Sequence, residues 1–175
     1  LNRTCAIRVF ASRSIPIIEN EFDDVDRGIM FVGNGTGNLV DVSNDMNNVN
    51  IGIWNRNNVG NQLSTSLINN GIGSNHSGII NQNGFATVIR NNRIDNFRDG
   101  ITAITSHSPS GVLEIWENQV TTTTRPLLAG GNNFSSTWFC NILNGYSNGN
   151  NVTGRAWTLY DVGISIASIQ PQGML

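Results

Sequence analysis

The sequence predicts an all-β solenoid, a parallel β-helix with one coil every ~24 residues and about six to seven coils in total. Three observations predict it. Asparagines recur at intervals of 22 to 26 residues. An apolar residue stands two positions after each of them, and a glycine or proline eight positions after. Apolar residues alternate over short runs without a sustained helical period. The six asparagines are Asn20, Asn44, Asn70, Asn92, Asn118 and Asn141.

Each element of the repeat has a physical reason. Asparagine is expected at a corner because it tolerates left-handed backbone, and its amide can bond neighbouring groups. Stacked asparagines from successive coils are expected to form a structural ladder. Glycine is expected at another corner, where a positive φ costs it nothing. These residues are Gly28, Gly52, Gly78, Gly100, Pro126 and Gly149. Plentiful β-branched residues favour strands between the corners.

The repeat divides the chain into three parts. Residues 1–14 are expected to form an N-terminal strand or partial coil, 15–156 the repeats, and 157–175 a last coil or terminal strand segment. Asp41 stands where a neighbouring coil has Ile17, which predicts a one-residue bulge with Val40 and Val42 turned inward. No amphipathic capping helix is evident at either end, so we expect a piece of a longer polypeptide or a trimer that supplies its own caps.

Insertions between coils share one position in the repeat. They fall at residues 33–38, 55–62, 81–84, 105–111 and 129–136. In solenoids such insertions lie on one face, which is often the binding face. We therefore expect a loop-decorated binding edge.

Four segments carry a resemblance to a known superfamily: IENEF (18–22), INNGI (68–72), RNNRI (90–94) and WENQV (116–120), each followed by its glycine or proline. Over about residues 15 to 170 the chain resembles the right-handed parallel β-helix superfamily of pectate lyases, polygalacturonases and phage tailspikes. The resemblance implies a right-handed single-stranded parallel β-helix. Its tailspike-like members imply a homotrimer on a virion or cell surface. Because this fold hosts lyases, hydrolases, epimerases and adhesins, the resemblance leaves the activity open.

Composition narrows the function classes. The 175 residues suit one domain, and the net charge is −2. The ten basic residues are all arginines and form no basic stripe, which argues against nucleic acid. No stretch is long enough to span a membrane. Cys5 and Cys140 are expected near opposite ends, so we expect no disulfide. No metal-ligand spacing occurs, and we expect no metal and no cofactor.

The first candidate site is a glycan-binding patch of Arg90, Glu114 and Trp116. The position two before each ladder asparagine is expected to face outward, which places Arg90 beside Trp116, with Glu114 one outward step away. This column reads Ile18, Val42, Ile68, Arg90, Trp116 and Phe139. An aromatic ring beside a cation and a carboxylate is typical of sugar recognition. The alternative is that Trp116 lies in an interface between protomers and that Arg90 and Glu114 form a surface ion pair.

The second candidate is a catalytic stripe of Asp26, His76, Arg98 and Asp99. The first three lie six positions after their asparagines, and an acid, an imidazole and a cation could perform acid–base chemistry on a glycan. The alternative is a solvated polar stripe. The resemblance to polygalacturonases implies clustered Asp residues with a His and an Arg. Of their short motifs, only an Asp-Asp pair has a partial match here, at Asp23-Asp24.

Acidic residues near the start of the chain give a third candidate. Glu21 and Asp45 each follow a ladder asparagine in adjacent coils, and paired carboxylates can hydrolyse glycosidic bonds. The alternative is that these exposed side chains splay apart. Calcium could be held by Asp23, Asp24 and Asp26, but their spacing matches no known loop.

We expect from these observations a phage tailspike-like or surface adhesin β-helix that binds host or cell-surface polysaccharide, on a virion or cell surface, as a homotrimer. One alternative is a polysaccharide-degrading enzyme, either a hydrolase or a lyase. The other alternative is a purely structural virion or spacer solenoid. Each alternative makes a different prediction about binding and chain shortening of a glycan.

Overall fold

The computed structural model describes residues 4–33, 35–40, 43–73, 76–105, 113–131, 136–145 and 157–160. These residues form an all-β parallel solenoid of about five turns, which confirms the predicted fold class. The right-handed twist and the total of six to seven coils stay predictions. Among these residues there is no helix that is long and apolar enough to cross a membrane.

Each coil contributes strands to three faces, and all strand pairs are parallel. Face 1 contains β1 (Cys5–Phe10), β4 (Arg27–Val32), β7 (Ile51–Arg56), β10 (Ser77–Gln82), the second parts of β12 (Arg93–Thr105) and β14 (Gln119–Gly131), and β17 (Trp157–Tyr160). Face 2 contains β3 (Glu21–Asp23), β6 (Asn44–Val49), β9 (Ser66–Gly71), the first parts of β12 and β14, and β16 (Ile142–Gly145). Face 3 contains β2 (Pro16–Ile17), β5 (Leu39–Val40), β8 (Gln62–Ser64), β11 (Val88–Arg90), β13 (Leu113–Trp116) and β15 (Ser136–Phe139).

The core is a stack of apolar columns, one from each face. Face 1 contributes Ile29, Ile53, Ile79, Ile101 and Leu127, all fully buried. Face 2 contributes Met46, Ile68, Ile94 and Val120, and face 3 contributes Ile17, Val40, Leu63, Ile89 and Ile115. Each side chain packs on its equivalents in the neighbouring coils, so stability comes from nearest-neighbour stacking.

An asparagine ladder joins successive coils beneath the corner between faces 3 and 2. The Nδ2 of Asn92 donates to Oδ1 of Asn118 at 3.0 Å, and the Nδ2 of Asn118 donates to Oδ1 of Asn141 at 2.9 Å. The Nδ2 of Asn20 donates to Oδ1 of Asn44 at 3.0 Å. Asn44 pairs in register with Ser66, whose backbone N–H donates to Oδ1 of Asn92 at 3.2 Å.

The prediction that Asn70 belongs to this ladder is wrong, because Ser66 takes its place. Asn70 is exposed, and its Nδ2 donates to Oδ1 of Asn47 at 2.8 Å. It has a φ of 52° and lies in a left-handed column between faces 2 and 1, which contains Asp24, Asn48, Asn70 and Asn96. Asparagine therefore serves two corners for two reasons, amide bonding at one and left-handed backbone at the other.

At the ladder corner, the residues with left-handed backbone conformation are those that directly precede the ladder positions. They are Glu19, Ser43, Thr65, Asn91, Glu117 and Cys140, with φ between 50° and 55°. The ladder asparagines themselves do not have positive φ. Their amides point inward and bond backbone carbonyls as well as one another, as Asn118 Nδ2 does with the carbonyl of Ile89 at 2.9 Å.

The periodic glycines lie where expected along the sequence, but the reason given for them is wrong. Gly28, Gly52, Gly78 and Gly100 have no positive φ. A Cβ on Gly52 would lie 2.5 Å from Cγ2 of Ile68 and 2.6 Å from the carbonyl oxygen of Gly78. At these four positions the apolar column of face 2 therefore packs directly on the backbone of face 1, and a Cβ there would occupy the same space.

The first three insertions are stacked parts of the solenoid. Thr36 forms parallel bridges with Arg13 and Val59, and Val59 with Phe85. A buried amide network lies among these segments; its members are Asn38, Asn55, Asn58, Asn61 and Asn81, each at most 1% exposed. Residues 106–111 of the insertion 105–111 and residues 132–135 of the insertion 129–136 lie outside the described residues, as do Asp41 and Val42, while Val40 is buried.

Candidate functional site

The outer surface of face 3 places Arg90 next to Trp116. The parallel register of β11 and β13 pairs these two residues, and it pairs Val88 with Glu114. The Cζ of Arg90 lies 5.3 Å from the centroid of the Trp116 ring. A cation–π contact of this kind contributes about 0.5–2 kcal/mol and fixes the orientation of the ring. The sequence-predicted pair is thus brought together on one face.

The neighbours of this pair differ partly from those expected. Register places Ser64, not Ile68, beside Arg90, because Ile68 is a buried core residue of face 2. On the other side of Trp116 the register partner is Phe139. Glu114 is half-buried, and among the described residues no ion pair joins it to Arg90. The patch therefore combines an oriented ring with a guanidinium and a carboxylate that are not joined in an ion pair.

A groove with a volume of about 390 Å³ lies beside the patch, at the corner between faces 3 and 2. It spans three coils, and its outer lining includes Ser43, Asp45, Thr65, Leu67, Asn91 and Arg93. It adjoins the patch because Asn91 directly follows Arg90. Hydroxyl and amide groups of Ser43, Thr65 and Asn91 contribute to this lining together with apolar surface, and the Nε of Arg93 donates to Asp95 at 2.7 Å. This groove was not predicted from the sequence, although its residues Ser43, Thr65 and Asn91 each directly precede a ladder position.

The proposed catalytic stripe forms a single column at the corner between faces 2 and 1. Backbone bonds link Asp26 to Ile51 at 3.0 Å, Asn50 to Ser77 at 2.9 Å and His76 to Asp99 at 3.2 Å. Asp26 and His76 are therefore two coils apart, roughly 10 Å, with Asn50 between them. Arg98 follows in the next coil. This column lies at a different corner from the one that holds the groove.

The polar groups of the stripe are engaged in contacts within the chain. Oδ1 of Asp26 accepts a bond from Nδ2 of Asn50 at 3.0 Å, and its Oδ2 lies 3.5 Å from Nε of Arg27. Nδ1 of His76 accepts a bond from the backbone N–H of Arg98 at 3.1 Å. Burial lowers the pKa of His76, an effect that Asp99 partly opposes. An imidazole that accepts at Nδ1 in its neutral form carries its proton on Nε2.

Asp99 is a buried counterion. It is 8% exposed, and its two oxygens accept bonds from Nε and Nη2 of Arg125 at 2.6 and 2.7 Å. The hydrogen bond to Asp99 raises the pKa of Arg125. Both oxygens of this carboxylate are thus engaged by one guanidinium, which holds Asp99 as a structural partner of Arg125. The geometry of the stripe is therefore that of a structural polar column.

The acidic residues near the chain start also pack against neighbouring coils. Glu21 and Asp45 are register partners on adjacent strands, and both are exposed. Oδ1 of Asp23 accepts bonds from Nδ2 of Asn47 at 3.0 Å and of Asn48 at 3.2 Å. Within the described part of the chain no group of three His, Cys, Asp or Glu could hold a metal ion.

Comparison of the chain with protein-family models, with curated proteins and with solved structures gave no match. The functional interpretation accordingly rests on the residues of the patch and groove.

Proposed function

We propose that this chain is a polysaccharide-binding β-solenoid of the tailspike or surface-adhesin kind, which holds a glycan along face 3. The observation that carries the proposal is the stack of Arg90 on Trp116 beside a groove whose lining includes hydroxyl and amide side chains. A pyranose presents an apolar ring face that packs on an indole, and its hydroxyls bond charged and amide groups. The guanidinium of Arg90 and the carboxylate of Glu114 supply such groups.

The direction of the groove favours a polymer over a small ligand. Its lining comes from three successive coils, so it extends roughly 10 Å along the solenoid axis. Its polar side chains are spaced at the coil repeat of ~5 Å. A repeating chain of hydroxyl-rich units matches a repeating row of hydroxyl and amide side chains. The proposed location of the protein, on a virion or cell surface, is one at which it would encounter polysaccharide.

The proposal is tested with Trp116→Ala on a panel of bacterial-surface and plant cell-wall polysaccharides. We expect the wild type to bind at least one of them and the variant to bind it about tenfold more weakly or worse, a loss of at least about 1.4 kcal/mol. Ile18→Ala is the matched control, since Ile18 is an exposed apolar residue at the other end of the solenoid. Equal affinity of the wild type and Trp116→Ala would refute the site.

Chain length of the glycan, followed in the same assay, separates the alternatives. Binding without shortening supports the adhesin. Shortening would favour the enzyme, with unsaturated sugar products indicating a lyase and new reducing ends alone a hydrolase. Because Asp99 and His76 are engaged in hydrogen bonds within the chain, we expect no shortening of the glycan. No binding to any glycan would favour the structural spacer.

A further inference from the structure

The groove beside the aromatic patch carries an uncompensated negative charge. Asp45 and Arg93 both belong to its outer lining. The Nε of Arg93 donates to Oδ2 of Asp95 at 2.7 Å, so these two charges offset each other. Asp45 is exposed, and within the described residues it takes part in no ion pair. A ligand in the groove therefore lies beside a free carboxylate.

Further carboxylates flank the groove at both ends. Glu19 and Glu21 lie on the preceding coil, on either side of the ladder residue Asn20, and Glu21 is the register partner of Asp45. Glu117 lies on the following coil, directly before the ladder residue Asn118. All three carboxylates are exposed, and none forms an ion pair in the part of the chain that the structure describes. A ligand that extends past the groove in either direction therefore meets negative charge.

The aromatic patch adds one charge of each sign. Arg90 is stacked on the Trp116 ring, and Glu114 precedes Trp116 by two residues. Neither charge takes part in an ion pair among the described residues. We name the patch, the groove and its two flanks the binding strip. Outside ion pairs it holds five carboxylates and one guanidinium, namely Glu19, Glu21, Asp45, Glu114, Glu117 and Arg90.

This set of groups suits a sugar that has no charge of its own. A sugar hydroxyl donates to a carboxylate oxygen in a charge-assisted hydrogen bond, which is stronger than a bond between neutral groups. The apolar face of a pyranose packs on an indole ring, and this contact needs no charge either. A carboxylate or sulfate on the ligand, by contrast, would be repelled by the acidic groups of the strip.

We propose that the binding strip takes an uncharged polysaccharide, whose sugars carry hydroxyl or N-acetyl groups and no carboxylate, sulfate or phosphate. This inference rests on the proposed function and names the chemical class of its ligand. A polyanion that followed the strip over five coils, roughly 20 Å, would pass carboxylates in the groove and at both of its ends. Arg90 can donate its N–H groups to the hydroxyl or acetyl oxygens of an uncharged sugar.

The test compares the polysaccharide that binds with a version of itself that differs in charge. Primary alcohols of an uncharged ligand are oxidised to carboxylates, whereas carboxyl groups of an acidic ligand are reduced to primary alcohols. We expect an uncharged ligand, and we expect its oxidised form to bind at least about tenfold more weakly. Affinity for the uncharged form should change less than about twofold between about 50 mM and about 500 mM NaCl, because salt screens interactions between charges.

Reversal of one flanking charge separates repulsion from the loss of a hydroxyl contact. Glu117→Arg is compared with Asp24→Arg, since both native residues are exposed and have a φ of 55°, but Asp24 lies at the corner between faces 2 and 1. The readout is the ratio of the affinities for the oxidised and uncharged forms at low salt. We expect Glu117→Arg to raise this ratio at least about fivefold and Asp24→Arg to leave it within about twofold.

The outcomes distinguish this inference from the function on which it rests. An acidic ligand that binds at least as tightly as its reduced form would overturn the inference and leave the glycan site standing. An equal effect of Glu117→Arg and Asp24→Arg, or none from either, would overturn it too. No binding to any polysaccharide would refute the proposed function itself. Circular dichroism confirms that each variant is folded, and Glu117→Gln with Asp24→Asn replaces the pair if an arginine variant is not.

Discussion

Replacement of Asn118 by alanine removes the central rung of the asparagine ladder. Asn118 is 1% exposed, and its Oδ1 accepts the backbone N–H of Asn92 at 3.1 Å. Its Nδ2 donates to the carbonyl oxygens of Ile89 at 2.9 Å and Trp116 at 3.1 Å. The carbonyl oxygen of Trp116 still accepts the backbone N–H of Asn91 at 3.4 Å, so two backbone groups, the N–H of Asn92 and the carbonyl of Ile89, lose this partner. A buried polar group that loses its partner costs about 1–3 kcal/mol, which predicts a loss of about 2–6 kcal/mol. This is a large part of the stability of a typical domain.

Urea unfolding followed by circular dichroism measures this loss as a lower midpoint at an unchanged slope. Asn70→Gly is the control, because glycine accepts the φ of 52° and only exposed amide bonds are lost. For it we expect less than about 1 kcal/mol. Similar losses for Asn118→Ala and Asn70→Gly would refute the distinction between a buried ladder and a left-handed corner.

Three further predictions concern packing, protonation and buried charge. Gly52→Ala should lower the free energy of unfolding by at least about 2 kcal/mol through overpacking. Gly37→Ala should lower it by about 1 kcal/mol, because Gly37 has open space around it and a left-handed backbone. Urea midpoints measure both losses. Because burial lowers the pKa of His76, the stability from its neutral form is present above about pH 6.5 and lost as pH falls below it. Wild type should therefore lose more stability than His76→Asn between about pH 7.5 and pH 5. Arg125→Ala should cost about 3–5 kcal/mol by stranding Asp99, and adding Asp99→Ala should cost less than the sum of the single losses in a double-mutant cycle.

The periodic core could be predicted from the sequence because every coil needs buried apolar side chains at the same positions in order to pack on its neighbours. Ile94 and Val120 occupy equivalent buried positions two residues after Asn92 and Asn118. Identical environments select identical residue classes at identical spacing. The Arg90–Trp116 pair followed from the same logic, since once the ladder is in register, the outward neighbours are fixed too.

The third coil could not be aligned correctly from spacing alone. Its ladder residue is Ser66, and the apolar residue two positions later is Ile68, which is fully buried. Gly78 pairs correctly with Gly52 but lies twelve residues after Ser66, not eight. Four additional residues lie between Gly71 and Ser77 in this coil, after Asn70, which is the equivalent of Asn48. Asn70 lies eight positions before Gly78, which is the spacing that the repeat requires, but it lies at the corner between faces 2 and 1. The spacing alone therefore aligned the wrong asparagine with the ladder.

The buried amide network was missed for a different physical reason. Asn55 donates to Oδ1 of Asn81 at 2.8 Å, and Asn61 donates to Oδ1 of Asn55 at 2.9 Å, all within segments that read as polar insertions. Burial of these side chains is possible because each amide meets another amide one coil away or across the corner. Polar composition therefore does not indicate exposure in a chain whose coils stack in register.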